Sequence, residues 1–215
     1  MQSESLKSTW TDKSSATEIF IIDVNRISRT EIDAAYFSMS EERRKKCDGF
    51  RFQADKDLCI VSEMLLRRVL SEKLGIPSER LELDVSENGK PYLKNDSCYF
   101  NVSHSGDVVA VAVNRVSPVG IDVEKVKPLA ARIAKRVFSD SDVRFVFGAD
   151  IIPDGNADDP DTLIRFFKVW TYKEAFVKMT GEGISDNIKN YSYDEKRCFS
   201  QLVDDYVITV ITENV

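Results

Sequence analysis

With 215 residues, 42% of them hydrophobic and 31% charged, the chain has the balance of a packed globular protein, one large domain or two small ones, rather than a disordered one. No apolar run approaches the ~18–20 residues of a membrane span, and a net charge of −6 gives no overall attraction for nucleic acid. Any anionic ligand must be held by a local patch, and Arg43-Arg44-Lys45-Lys46 and the group Arg132, Lys135, Arg136 are the two clusters available. Either could equally be a solvated face. Cys47, Cys59, Cys98 and Cys198 are scattered without a C-x-x-C pair, and residues 1–17 lack the apolar centre of a secretory signal. These features predict a flexible leader over 1–17, reduced thiols and a cytoplasmic protein. His104 is the only histidine, which excludes a multi-histidine zinc site.

In chain order, Ile19–Val24 is an apolar run suited to a buried strand. Ser40-Glu41-Glu42-Arg43 has the capping serine and acidic first turn of a helix start. Leu58, Val61, Leu65, Val69 and Leu70 predict a long amphipathic helix over 55–74, stopped by Gly75 and Pro77. Leu81–Val85 alternates as a strand, and Glu87 to Pro91 is a turn. Cys98–Val102 and Val108–Val113 read as strands joined by Ser103-His104-Ser105-Gly106. Beyond Pro118 come a strand at Val119–Val123, a helix near Leu129–Val137 and a mobile Asp/Gly/Pro-rich loop over 148–161. A second long helix carries Phe166, Phe167, Trp170, Phe176 and Val177, ending near Gly181 or Gly183, and strands are expected at Ile188–Tyr193 and Tyr206–Ile211. Strand, helix, strands thus occurs on each side of Pro118 without a clear residue-level repeat. The expectation is an α+β protein of two similar lobes, 18–117 and 118–215.

Three segments could carry chemistry. In VGIDVEK, strand alternation puts Val119, Ile121 and Val123 on one face and Asp122 and Glu124 side by side on the other. Two neighbouring carboxylates repel, and a hard divalent cation would remove the repulsion; a solvated strand face is the plain alternative. In FFKVWTYKEAFVK, helical spacing aligns Trp170, Glu174 and Lys178. The pair is either an exposed ion pair or, among the aromatics, a half-buried carboxylate tuned for proton transfer. NVSHSG gathers hydroxyls, amides and an imidazole that could bind phosphate, be an ordinary hairpin turn, or hold a hydrolase nucleophile without the G-x-S-x-G elbow. Together the three suit metal-assisted phosphoryl-type transfer better than any does alone.

NVSHSGDVVAVAV, VGIDVEKVKP and FKVWTYKEAFVKMTGEGI in this order resemble the 4′-phosphopantetheinyl transferases of the larger, two-lobed monomeric type, over roughly Ser40 to Ile184. The resemblance implies two α/β lobes related by a pseudo-twofold axis, with coenzyme A in the cleft between them. It implies transfer of phosphopantetheine to a serine of an apo acyl carrier or peptidyl carrier protein, releasing 3′,5′-ADP. Asp122 and Glu124 then match Mg²⁺ ligands (Mn²⁺ being a possible substitute), and Glu174 a third ligand, the catalytic base, or both. Lys178 matches the lysine that neutralises the pyrophosphate. Ser103 and His104 match contacts to coenzyme A phosphates, Lys90 a residue beside the adenine, and Arg43 and Lys46 basic contacts to the nucleotide. Leu58 and Cys59 stand where family members often carry an arginine and a hydroxyl residue. The resemblance further implies a monomer, while the net charge and the lack of a long apolar run predict neither a nucleic-acid nor a membrane partner. Two other readings are an inactive module that binds coenzyme A or a carrier, and a Mg²⁺-dependent phosphohydrolase that breaks coenzyme A down with water.

Overall fold

The computed structural model describes residues 17–94, 98–182 and 186–213. The expected leader, apart from Thr17, and the possible helix stop at Gly183 lie outside the described residues. Strand β1 (Thr17–Asp23) is followed by α1 (Arg29–Ser38), α2 (Glu41–Asp48) and the long α3 (Gln53–Leu74). Ser28 and Glu31 form a reciprocal capping box at α1, and the Ser40 hydroxyl accepts from the Arg43 amide at α2. Gly75 closes α3 in the left-handed conformation. A hairpin of β2 (Leu83–Val85) and β3 (Pro91–Leu93) precedes β4 (Tyr99–Ser105) and β5 (Val108–Asn114).

The second half runs β6 (Val119–Lys125), β7 (Leu129–Ala130), α4 (Ala134–Val137), α5 (Asp140–Phe147), β8 (Asn156–Ala157), α6 (Pro160–Thr180), β9 (Phe199–Val203) and β10 (Tyr206–Thr212). Each half forms an antiparallel three-stranded sheet with its last strand in the middle, β1-β5-β4 and β6-β10-β9. The halves match in detail. Each hairpin into the middle strand has a two-residue turn whose first residue has positive φ, 56° at Gly106 and 53° at Asp204. The next backbone contacts also correspond, with Val24 N donating to Asp107 O and Val126 N to Asp205 O, both at 2.7 Å. The two-lobed α+β architecture expected from the pattern is therefore present, and the repeat is structural where the sequence shows none.

Several local expectations are corrected. Ser103, His104 and Ser105 lie on β4 rather than in a turn, because the tight Gly106-Asp107 connection lets the strand run on. Of the expected 129–137 helix, Ala131–Ile133 is a 3₁₀ turn that runs into α4, and only Leu129 and Ala130 are not helical; they pair instead with β8, which also gives part of the 148–161 segment regular structure. Residues 188–190 belong to a 3₁₀ turn, and the strand beside β10 is 199–203. Helices α1 and α5, of ten and eight residues, were not foreseen.

The core has three main parts. One lies between α3 and the first sheet, around Ile60, Val61, Leu70, Val109 and Val111. Another surrounds α4, α5 and the aromatic face of α6. The third is shared by the sheets, with Ile19, Ala110 and Ala112 against Val119, Ile121, Val123 and Ile208. Odd-numbered residues of β6 thus face the other sheet, leaving Gly120, Asp122 and Glu124 toward α6. Gly120 sets how closely α6 approaches: a Cβ there would stand 1.9 Å from the Ala175 carbonyl oxygen and 2.8 Å from the Met179 nitrogen. Backbone on both sides leaves little room to yield. Gly120→Ala is expected to destabilise the protein by about 3 kcal/mol or more in urea unfolding. An unchanged midpoint would contradict this packing.

Candidate active site

Strands β4 and β6 are edges of different sheets, and side chains rather than backbone join them. Asn101 Oδ1 accepts from the Ile121 amide at 3.0 Å, Ser103 Oγ from Val123 at 3.3 Å and Ser105 Oγ from Lys125 at 3.2 Å. Alternation on β4 repeats a polar acceptor every second residue, in step with the outward amides of β6. Both hydroxyls also donate to the acidic pair: Ser103 Oγ to Asp122 Oδ1 at 2.8 Å, and Ser105 Oγ to Glu124 Oε2 at 2.7 Å.

Helix α6 supplies the third side. Asp159 caps its N-terminus and Pro160 opens it. Its rotation is fixed from behind by Lys173, whose Nζ lies 2.9 Å from Asp142 Oδ2 and donates to the carbonyls of Ile188 and Tyr191 at 3.0 and 2.7 Å. Both members of that ion pair are buried. With Lys173 turned inward, half-buried Glu174 and Lys178 face β6. Lys178 Nζ donates to Asp122 Oδ1 at 2.6 Å and to Ser103 Oγ at 2.9 Å. Ser103, Asp122 and Lys178 are therefore one bonded group drawn from both lobes.

Burial pushes the Asp122 carboxyl up to about 6, although Lys178 and Ser103 pull the other way. Glu174 is also raised, first by burial and then by the Asp122 charge, with Lys178 opposing and Glu124 adding. His104 is exposed at its surface, yet crowding around the ring and then the Lys178 charge lower its pKa, against Asp55 and Glu124. Solvent tempers that shift. Among the described residues, no three His, Cys, Asp or Glu side chains are gathered tightly enough to hold a metal as they stand. The donors nevertheless suit a hard cation. Three carboxylates influence one another electrostatically, and Asp122 Oδ2 is buried without a hydrogen-bond partner. Of the buried polar atoms without a partner among the described residues, this is the one carboxylate oxygen, and Lys178 stands beside its carboxylate.

The remaining expected residues lie farther from this group. Lys90, in the turn between β2 and β3, donates to the Met179 carbonyl at 2.6 Å, while Asn88 donates to Gly181 O at 2.8 Å. That turn of the first half thereby caps the C-terminus of α6. Arg43 pairs with the buried Glu63 at 3.1 Å, and Glu63 also accepts from Arg67 at 2.6 Å. Lys46 is exposed on α2. Sequence reasoning missed Asn101, Ser105, Gly120 and Lys173. The polar alternation 101, 103, 105 was a usable signal for the first two. Lys173 carried none, since a lysine on a helix is usually solvated.

The buried carboxyl makes stability depend on pH. Between about 4 and about 6 the folded Asp122 keeps a proton that the unfolded chain has released, so its contribution to stability falls as pH rises through that window. Asp122→Asn removes the dependence. Relative to wild type, the variant should gain on the order of 2 kcal/mol between about pH 4 and about pH 7 in urea unfolding. A constant difference would contradict the raised carboxyl.

Family models described as 4′-phosphopantetheinyl transferase, N-terminal, and 4′-phosphopantetheinyl transferase superfamily match residues 26–116 and 118–210. The chain is 35% identical over 166 residues to the 4′-phosphopantetheinyl transferase psf-1 of Bacillus pumilus, covering 77% of this chain and 67% of that protein. It is 30% identical to the 4′-phosphopantetheinyl transferase Sfp of Bacillus subtilis, over 77% of this chain and 70% of the relative. The human L-aminoadipate-semialdehyde dehydrogenase-phosphopantetheinyl transferase is 28% identical, over 78% of this chain and 56% of its own length. No described helix is long and apolar enough to cross a membrane. With both halves matched in order, the chain belongs to the 4′-phosphopantetheinyl transferase superfamily and is a transferase of that family.

Proposed function

We propose that this protein carries out the Mg²⁺-dependent transfer of phosphopantetheine from coenzyme A to a serine of an apo acyl carrier or peptidyl carrier protein, releasing 3′,5′-ADP. The observation that carries the reading is the convergence of Ser103, Asp122 and Lys178 in one bonded group with Glu174 and Glu124 beside it. Asp122, Glu124 and Glu174 would hold Mg²⁺ or Mn²⁺, which when bound offsets the negative charge of the diphosphate. Lys178, about a third exposed, is free to swing from Asp122 onto the phosphate oxygens, where charge develops as the bond breaks. Glu174, with its raised pKa, is a better base than an ordinary carboxylate and accepts the proton of the carrier serine. Ser103 and His104 flank the same place and bind phosphate oxygens.

Arg43, Lys46 and Lys90 are assigned to the nucleotide end. In this state Arg43 is partly engaged by Glu63 and Lys90 by the end of α6, so both exchange those partners for ligand. The protein is taken to act as a cytoplasmic monomer. The test incubates it with coenzyme A, Mg²⁺ and a panel of apo-carriers, and follows carrier mass. A gain of about 340 Da on one or more carriers is expected, the mass of the transferred group. Coenzyme A binding without any gain would favour an inactive module, and breakdown without carrier a hydrolase. Glu174→Gln should keep coenzyme A binding and lose transfer by at least ~10²-fold; near-normal turnover would remove Glu174 as the base.

A further inference from the structure

The four cysteines are scattered along the sequence, yet the fold brings two of them into contact. Cys47 is the one buried residue of α2, and its Sγ lies 2.7 Å from the Sγ of Cys59 on α3. Both sulfurs sit in the core of the first lobe. The other two thiols end on carbonyls, Cys98 on those of Tyr99 and Asn114 and Cys198 on that of Asp194. A sulfur–sulfur bond is about 2.05 Å long, so closing the Cys47–Cys59 pair needs less than ~1 Å of further approach.

We propose that Cys47 and Cys59 are a site of reversible oxidation, closing to a disulfide that ties α2 to α3 when a peroxide reaches them. Burial favours a reagent of that size over a bulky disulfide. The Cys59 sulfur attacks one peroxide oxygen, the O–O bond breaks, and hydroxide leaves with the thiol's proton as water. The Cys47 sulfur then displaces the oxygen from the sulfenic acid, and a second water carries away its proton. Two thiols lose two electrons and one peroxide becomes two waters. Cys59 keeps slight exposure where Cys47 has none, which gives Cys59 the first step. Burial, and then the hydrogen bond to Cys59, push the Cys47 thiol up, and contact between the sulfurs compensates for a scarce thiolate in the second step. The bond would fix the only buried point of the helix that bears Arg43 and Lys46.

The test treats the folded protein with hydrogen peroxide, alkylates remaining thiols after denaturation and maps tryptic peptides. Trypsin cuts after Lys46, Arg51, Lys56 and Arg67, so the two sulfurs fall on separate peptides, 47–51 and 57–67. The expected major product is these peptides joined, with the loss of two hydrogen masses, reversed by dithiothreitol and absent in Cys59→Ser. The same treatment in urea should scatter the pairing over Cys98 and Cys198. If Cys47 and Cys59 remain fully alkylated while Cys198 oxidises, or if pairing is as scattered in the folded protein as in urea, the proposal is wrong. The mapping reads sulfur chemistry alone and is independent of the transfer reading.

Discussion

Three side chains on β4, accepting from three amides on β6, are the contact on which the rest of the site depends. Both strands are sheet edges, and an edge leaves a row of backbone groups that must find partners. A continuous backbone ladder would satisfy them but would leave the polar side chains of β4 no part in the junction. Bonding through Asn101, Ser103 and Ser105 keeps two hydroxyls directed at Asp122 and Glu124. The junction of the lobes and the base of the site are made by the same atoms.

The paired sheets also show why the candidate site has no counterpart at the equivalent place in the first lobe. The strands β1 and β6 are each seven residues long and meet their middle strands in the same register. Aligned end to end, Phe20 takes the place of Asp122, and Ile22 that of Glu124. In the first lobe those positions face α3 and complete an ordinary apolar core. In the second they carry charge, and the same burial that stabilises Phe20 raises the carboxyl of Asp122. Lys178 and Ser103 limit that penalty. Opposite consequences follow from one geometry, decided by side-chain type.

Much of this was legible in the sequence. Alternation alone placed Asp122 and Glu124 on one face of β6, and helical spacing put Glu174 and Lys178 on one side of α6. The two lobes followed from the order of elements on either side of Pro118. What was not legible depends on tertiary contact. Ser103 and His104 looked like turn residues because hydroxyls favour turns, and only the neighbouring strand makes their extended conformation worthwhile. Lys173 has no distinguishing sequence signal, and its partners in the interior, Asp142 and two carbonyls, come from elements that only the fold brings together. Cys47 and Cys59, twelve positions apart without a recognisable motif, meet because α2 folds back onto α3. The strand at 199–203 was lost because its sequence alternates weakly and pairs on one side only.

The side-chain ladder is open to direct measurement by amide hydrogen exchange. In the native protein the Val123 amide should be strongly protected despite lying on a sheet edge, because Ser103 Oγ accepts from it. Ser103→Ala, corrected for any change in global stability, should release that amide selectively. Fast exchange of Val123 in the wild type, or protection unchanged by the substitution, would contradict the account.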